Sequence, residues 1–442
     1  MRSLVTLLAL AAALVAAPAA SAQTTDRVQR VLEEIEAGGQ VDPVIADAWQ
    51  RDWRDAKIAA RRLTGTAKSN MAGVVRNTRS LAKRDMLADR VRPAMLIVQR
   101  NVEWFWRDRL ATPANGTRRA FPGSLVVFQL YAGNGWQLQP LANLGTLNAL
   151  SKRRRITERT RVWADDLLEL AVRRGGSLAF EYLFPWAGGA PGWASAMPQA
   201  IALEVYARLG RRAEAREMLE VFRTAPPLGV RLTTEPGRAH FLMYPQASRL
   251  MIGNGFAQAL LSLHAYAALE PGDPAVRETY ELALAEARAG MGLYDTGAWS
   301  LYYHQPGSTK GDESDLHYHR LFREFLEKLC ATIGGEPFCG MAESFALYET
   351  EPVRFGTPRF LATRTRVEGR VFVSKRSTIR ATLWRGETAV DGATLAARRG
   401  TFRVRFTRPR DAGEYRITFA ATALTGQRSS TEALTTLRKR PS

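Results

Sequence analysis

The sequence predicts a mainly α protein, with an (α/α) barrel- or toroid-like helical domain followed by a C-terminal all-β, immunoglobulin-like sandwich. Three patterns carry that expectation. Apolar residues recur at three-and-four spacing from Ile45 to Arg109. Helical stretches between Leu141 and Ala289 come in pairs joined by short links. Beyond Ala346 the period becomes two, with turn signals between the runs.

Residues 1–22 read as an export signal: Arg2, an apolar run from Leu4 to Ala16, and the small-residue site Ala20-Ser21-Ala22. The run is too short to span a bilayer, and no later run reaches roughly 18 uninterrupted apolar residues. Residue 23 is Gln, not Cys, which argues against a lipid-anchored export route. The expectation is a secreted or periplasmic protein that starts near Gln23 and has no transmembrane segment.

Residues 23–120 form an expected N-terminal helical region. Asp26 is placed to cap the stretch RVQRVLEEIEA, which its glycines end. The region closes on Trp104-Phe105-Trp106, and the turn-rich segment Thr112 to Gly123 marks a boundary. SLVVFQLY then reads as extended.

Residues 121–345 hold the helix pairs. Leu141–Ser151 pairs with Glu158–Arg174, Ala196–Leu209 with Ala213–Arg223, and Phe256–Leu269 with Pro274–Ala289. Such hairpins build an α-solenoid or an (α/α) toroid. The longer connections, including YAGNGWQLQP and FEYLFPWAGGAPGW, are rich in aromatic residues and glycine, as functional loops on a rigid scaffold often are. Pro352 and Pro358 bracket a linker over 346–358, and residues 359–437 are the expected sandwich. Its arginine-rich faces suit either a grip on an acidic polymer or a plain spacer.

Lys+Arg 62 against Asp+Glu 43 gives a net charge of +19. That field favours a polyanionic partner, unless it only reflects an arginine-rich base composition. Export points away from nucleic acid and toward an acidic polysaccharide; a homodimer is also allowed. Cys330 and Cys339 have neither the spacing of a redox CxxC pair nor the ligand count of a zinc site. In an oxidising compartment they are expected to form a disulfide contributing about 2–3 kcal/mol.

One set of motifs is more specific. Gly192-Trp193-Ala194-Ser195-Ala196-Met197 with Gln199 is followed by Tyr244-Pro245, then by Asn254-Gly255-Phe256 opening a helix. Next come Tyr294-Asp295-Thr296-Gly297-Ala298-Trp299-Ser300-Leu301-Tyr302 and His317-Tyr318-His319. In this order, and with Gln137-Leu-Gln-Pro140 upstream, they resemble the D-glucuronyl C5-epimerase family in its C-terminal helical domain, over roughly residues 127 to 329. The resemblance implies a toroid-like core and a uronic-acid polysaccharide, glucuronan- or heparosan-like, in an open groove. It implies inversion at C5 of glucuronate by proton abstraction α to the carboxylate and reprotonation from the other face, with no redox cofactor; neither a cofactor nor a metal is expected.

On that resemblance Tyr244 and Tyr318 are the acid/base candidates, with Glu181 as a carboxylate from another loop. Trp193, Arg249, Asn254, Asp295, Tyr302, His319, Arg320 and Arg323 are the substrate-binding candidates. Met243 stands where the family pattern has an acidic residue, and His317 replaces the aspartate before the second tyrosine. A non-catalytic binding protein and a polysaccharide lyase therefore stay open beside the epimerase. A hydrolase would rest on Glu181 and Asp295 alone. His304, Asp312, Glu313, Asp315, His317 and His319 are the densest group of potential ligands, though acids also gather at helix N-termini for the dipole. Trp136, Trp186, Trp193 and Trp299 are candidates for sugar stacking, against the usual fate of tryptophan in a core.

Overall fold

The computed structural model describes residues 26–308 and 311–438, so the export signal lies outside the described residues. The described residues begin with four helices: α1 (Arg27–Ala37), α2 (Pro43–Arg62), α3 (Gly65–Lys83) and α4 (Val91–Asn101). Asp26 and Asp42 cap the first two by accepting from Val28 N and Val44 N, and Pro43 sits where a missing N–H costs nothing. A π-helical turn, Val102–Arg107, continues α4. The turn-rich segment then enters an antiparallel sheet of β1 (Arg118–Ala120), β2 (Val127–Tyr131) and β3 (Gly135–Leu138).

Next come α5 (Pro140–Ser151), α6 (Glu158–Leu168), the hairpin β4 (Val172–Arg174) and β5 (Ser177–Ala179), and the two-residue strands β6 (Glu181–Tyr182) and β7 (Trp193–Ala194). Helices α7 (Ala196–Arg208) and α8 (Arg212–Arg223) lead to the hairpin β8 (Arg231–Glu235) and β9 (Arg238–Phe241). Strand β10 (Met251–Ile252), helices α9 (Gly253–Leu269) and α10 (Pro274–Gly290), and strands β11 (Leu301–His304) and β12 (Gly311–Glu313) follow. Helices α11 (Leu316–Thr332) and α12 (Phe338–Tyr348) close this part, stapled by the Cys330–Cys339 disulfide at a Cα separation of 4.9 Å.

Helix α7 is buried on every side from Ala196 to Ala207 and packs against α5, α8 and α9. A helix buried all round belongs at the centre of a core, and its two polar members, Gln199 and Glu204, are paired there. That core is continuous from Val28 to Phe345, so the first four helices and the later helices bury their apolar faces against one another.

The expected mainly α architecture is corrected. The described residues are 45 % helical and 26 % strand, and no barrel or toroid is formed among them. The longer joints, between α6 and α7, α8 and α9, and α10 and α11, carry short antiparallel strands, whereas α7–α8 and α9–α10 are linked by plain turns. The helix expected to run from Glu158 to Arg174 ends at Leu168, and its tail turns into β4. Strands of two or three residues show no period, so alternation cannot reveal them.

The C-terminal part has seven strands: β13 (Arg359–Ala362), β14 (Arg366–Val373), β15 (Ser377–Arg385), β16 (Thr388–Ala397), β17 (Gly400–Thr407), β18 (Gly413–Ala423) and β19 (Arg428–Leu437). They form two antiparallel sheets, β13-β14-β17 and β16-β15-β18-β19. Val367, Val371 and Phe406 of the first share a core with Ile379, Ile417 and Phe419 of the second. This unit docks through Glu313, whose buried carboxylate accepts from Arg376 N (3.1 Å) and Arg399 N (2.8 Å). Lys375 donates to the carbonyls of Tyr348 (2.7 Å) and Glu351 (2.6 Å).

Candidate active site

The pairing of β6 with β7 sets two chemistries back to back. Tyr182 lies opposite Trp193 and Glu181 opposite Ala194, and successive side chains on a strand point to opposite faces. On one face Glu181, 2 % exposed, is gripped by Arg90 (Nε 2.7 Å, Nη2 2.9 Å) and Arg174 (Nη1 2.6 Å). Both carboxylate oxygens are engaged, and the group sits among buried cations.

The other face is aromatic. Tyr182 stacks on Trp193 at 4.3 Å and 17°, and the indole donates to the Phe184 carbonyl at 2.9 Å. The Tyr182 hydroxyl donates to Gln139 Oε1 at 3.1 Å, while Gln139 Nε2 donates to the Tyr131 hydroxyl at 2.7 Å. One amide thus ties together two phenols from distant parts of the chain. Tyr131 ends β2 and packs on Phe184 at 4.3 Å.

Tyr244, in the loop after β9, meets the edge of Trp193 at 5.9 Å. Its hydroxyl lies 3.5 Å from that of Tyr302 on β11. The Tyr302 ring in turn lies 4.8 Å from that of Tyr318 in the first turn of α11. Asp315 caps that helix by accepting from Tyr318 N at 2.8 Å. Tyr318 is 37 % exposed, which opens the cluster to solvent. Trp186, 46 % exposed, stands beside it with an edge toward Phe184.

Burial governs the protons of these phenols. It pushes Tyr131 up to about 12, with the Arg118 guanidinium opposing and the Tyr244 and Tyr318 hydroxyls adding to the rise. Burial likewise raises Tyr182 and Tyr302 well above the ordinary phenol value, and raises Tyr318. At neutral pH these four are neutral donors. Arg118, on β1, is the cation that recurs beside Tyr131, Tyr182 and Tyr318, and its Nε donates to Gln129 Oε1 at 2.7 Å.

Of the residues singled out from sequence, Tyr244, Tyr302, Tyr318 and Trp193 are brought together, with Trp186 beside them. The remaining candidates lie elsewhere. His319 is fully buried, stacked on Trp299 at 3.6 Å, with Nδ1 2.9 Å from Ser300 Oγ and Nε2 3.0 Å from the Phe345 carbonyl. Arg320 and Arg323 both pair with Glu349. Asp295 accepts from Gly297 N (2.8 Å) and from the Tyr348 hydroxyl (3.2 Å), and lines a cavity of about 450 Å³ with His304 and Arg399. Asn254 is buried in the first turn of α9, its Oδ1 without a hydrogen-bond partner. Arg249 is exposed on the loop after Tyr244.

Trp136 and Trp299 belong to the interior. Met243 packs toward Gly255, where a Cβ would fall 3.0 Å from its sulfur. The ligand-rich stretch before α11 disperses: Asp312 pairs with Arg398, Glu313 holds backbone amides, Asp315 caps, and His317 is exposed. Among the described residues no group of three or more His, Cys, Asp or Glu is placed to hold a metal ion.

Sequence reasoning did not single out Tyr131, Tyr182, Gln139 or Arg118 as site residues. Two signals were present: Gln139 lies in the QLQP segment, and Tyr182 is the neighbour of Glu181. Arg118 lay in a segment read as a boundary, where a cation looks like ordinary surface.

No curated protein matches the chain. Residues 178–345 do match a family model, described as D-glucuronyl C5-epimerase C-terminus. The match takes in Tyr182, Trp193, Tyr244, Tyr302 and Tyr318, and leaves Tyr131, Gln139 and Arg118 upstream of it. It begins later and ends later than the span over which the motifs resemble that family. Residues 178–345 of this chain are therefore similar to the D-glucuronyl C5-epimerase C-terminal family.

Proposed function

We propose that this protein is an exported epimerase that inverts C5 of glucuronate within an acidic polysaccharide, using the tyrosine cluster for proton transfer. The observation that carries this reading is the convergence of Tyr131, Tyr244, Tyr302 and Tyr318 from four separate elements on one open aromatic site. The hydrogen on C5 is α to a carboxylate. One phenolate removes it, the pair of electrons spreads into the carboxylate, and a neutral phenol on the opposite face returns a proton. Tyr244 and Tyr318 are the transferring pair, and Tyr302, which touches both, relays between them. Neutral phenols are suited to donate, both to the developing enolate and to C5. Trp193 and the exposed Trp186 supply faces for sugar rings. Export is supported by the apolar leader in the sequence and by the disulfide; N-terminal sequencing of the recovered protein should begin near Gln23.

A second reading, binding without chemistry, is favoured by one feature. Glu181, the carboxylate beside Tyr182 in sequence, is consumed by two arginines, and three of the cluster's phenols are held neutral by burial.

Incubating the protein with polyglucuronate in deuterated water separates these possibilities. Deuterium at C5 with inverted configuration is the expected result. An unsaturated uronate would mean β-elimination, and retention of the polymer without exchange would mean binding alone. Tyr244→Phe and Tyr318→Phe should each lower exchange by about 10²-fold or more. Full exchange in both variants would remove these residues from the mechanism.

A further inference from the structure

The outward face of the sheet β13-β14-β17 carries arginines in register. Arg359 on β13 pairs with Arg370 on β14, which pairs with Arg403 on β17, so three guanidinium side chains share one row. The next row is Leu361, Glu368 and Arg405, and beyond it lie Arg366 and Thr407. Like charges directly opposite on neighbouring strands are destabilising, and such rows are normally broken by an acid. Here one acid serves the whole face: Glu368 accepts from Arg370 and Arg405. Arg359, Arg366 and Arg403 are exposed, and their guanidinium groups have no partner among the described residues. Phe372 lies on the same face beside Arg370, opposite Thr401, and is 39 % exposed.

We infer that this face is a docking surface for an acidic polysaccharide, separate from the tyrosine cluster and outside the matched family segment. Strands about 4.8 Å apart set the guanidinium groups at a regular interval, which suits a polymer with repeated carboxylates. The exposed phenyl offers a flat apolar surface to the C–H face of a sugar ring. The choice of polymer rests on the proposed epimerase reading; the charge pattern alone does not depend on it.

The test uses the full chain and immobilised polyglucuronate, with a neutral glucan, duplex DNA and anionic lipid vesicles as comparison ligands. Replacing Arg359, Arg370 and Arg403 together by Gln should weaken polyglucuronate binding about tenfold or more and flatten its salt dependence. The corresponding triple Lys variant should retain most of the affinity, and the melting temperature of both should match that of the unaltered protein. Exchange at C5 of a short oligosaccharide should be unchanged in the Gln variant. Unaltered polymer binding in the Gln variant overturns the inference, as does equal binding to the neutral glucan or a preference for DNA or vesicles. Should no variant, nor the unaltered protein, exchange C5 while polymer binding still falls in the Gln variant, the epimerase reading fails and the docking surface stands.

Discussion

Glu181 shows how a carboxylate in a suggestive loop can be structural. Its two arginine partners come from different elements, Arg90 from the turn before α4 and Arg174 from β4. Breaking a buried pair leaves an uncompensated charge, so Arg90→Met should destabilise the protein by about 3–5 kcal/mol in denaturant unfolding. A loss below about 1 kcal/mol would show that the contact is idle. His319 makes a second test. Burial pulls its ring from 6.5 down to about 4, so the folded form holds it neutral while the unfolded chain binds a proton. Its contribution is complete above about 6.5 and is lost as pH falls toward about 4, on the order of 3 kcal/mol. His240, pulled down to about 3, extends the same loss further into acid. Thermal melting followed from neutral to acidic pH should fall through this window, and His319→Gln should reduce the fall. Tyr244, Tyr302 and Tyr318 were readable from the order of motifs. Tyr131 was not, because nothing local in the sequence says that Gln139 will join it to Tyr182.

At the scale of elements, the β2–β3 hairpin that presents Tyr131 is fixed by α3. Gly73 lets the helix backbone approach so closely that a Cβ there would fall 2.0 Å from the Gly133 carbonyl oxygen. Asn70 Oδ1 accepts from Gly133 N at 2.8 Å, and Asn77 Nδ2 donates to Asn134 Oδ1 at 3.1 Å. Gly73→Ala must push the hairpin away, costing about 1–3 kcal/mol and lowering C5 exchange by moving Tyr131. Exchange that survives a measurable loss of stability would separate Tyr131 from the chemistry. The longer helices were legible because caps and apolar spacing are local: Asp26, Asp42 and Asp273 each precede their helix. Strands β6, β7 and β10, two residues each, were not. Their pairing is decided by tertiary contact.

Across the whole molecule, the change to two-residue alternation after Ala346 was visible in sequence, whereas the way that unit docks was not. Lys375 is 2 % exposed, donates to the carbonyl of Tyr348 at the end of α12 and to that of Glu351 just after it, and lies 5.5 Å from the Trp299 ring centroid. Lys375→Met keeps the bulk and removes the donors. Calorimetry should then resolve two transitions where the unaltered protein is expected to give one; a single transition at the original temperature would show that docking rests elsewhere. The shared core from Val28 to Phe345 explains why the toroid expectation failed, since the first four helices cover apolar surface that a self-contained toroid would have had to close over itself.

The arginine grip on Glu181 has a consequence for anyone wishing to transplant this domain. Both cations, Arg90 and Arg174, precede residue 178, where the family match begins. A graft of residues 178–345 into another host would import a buried anion stripped of its counterions, directly behind the aromatic wall. The portable unit is set by electroneutrality: it must reach back at least to Arg90, and in doing so it also recovers Tyr131, Gln139 and Arg118.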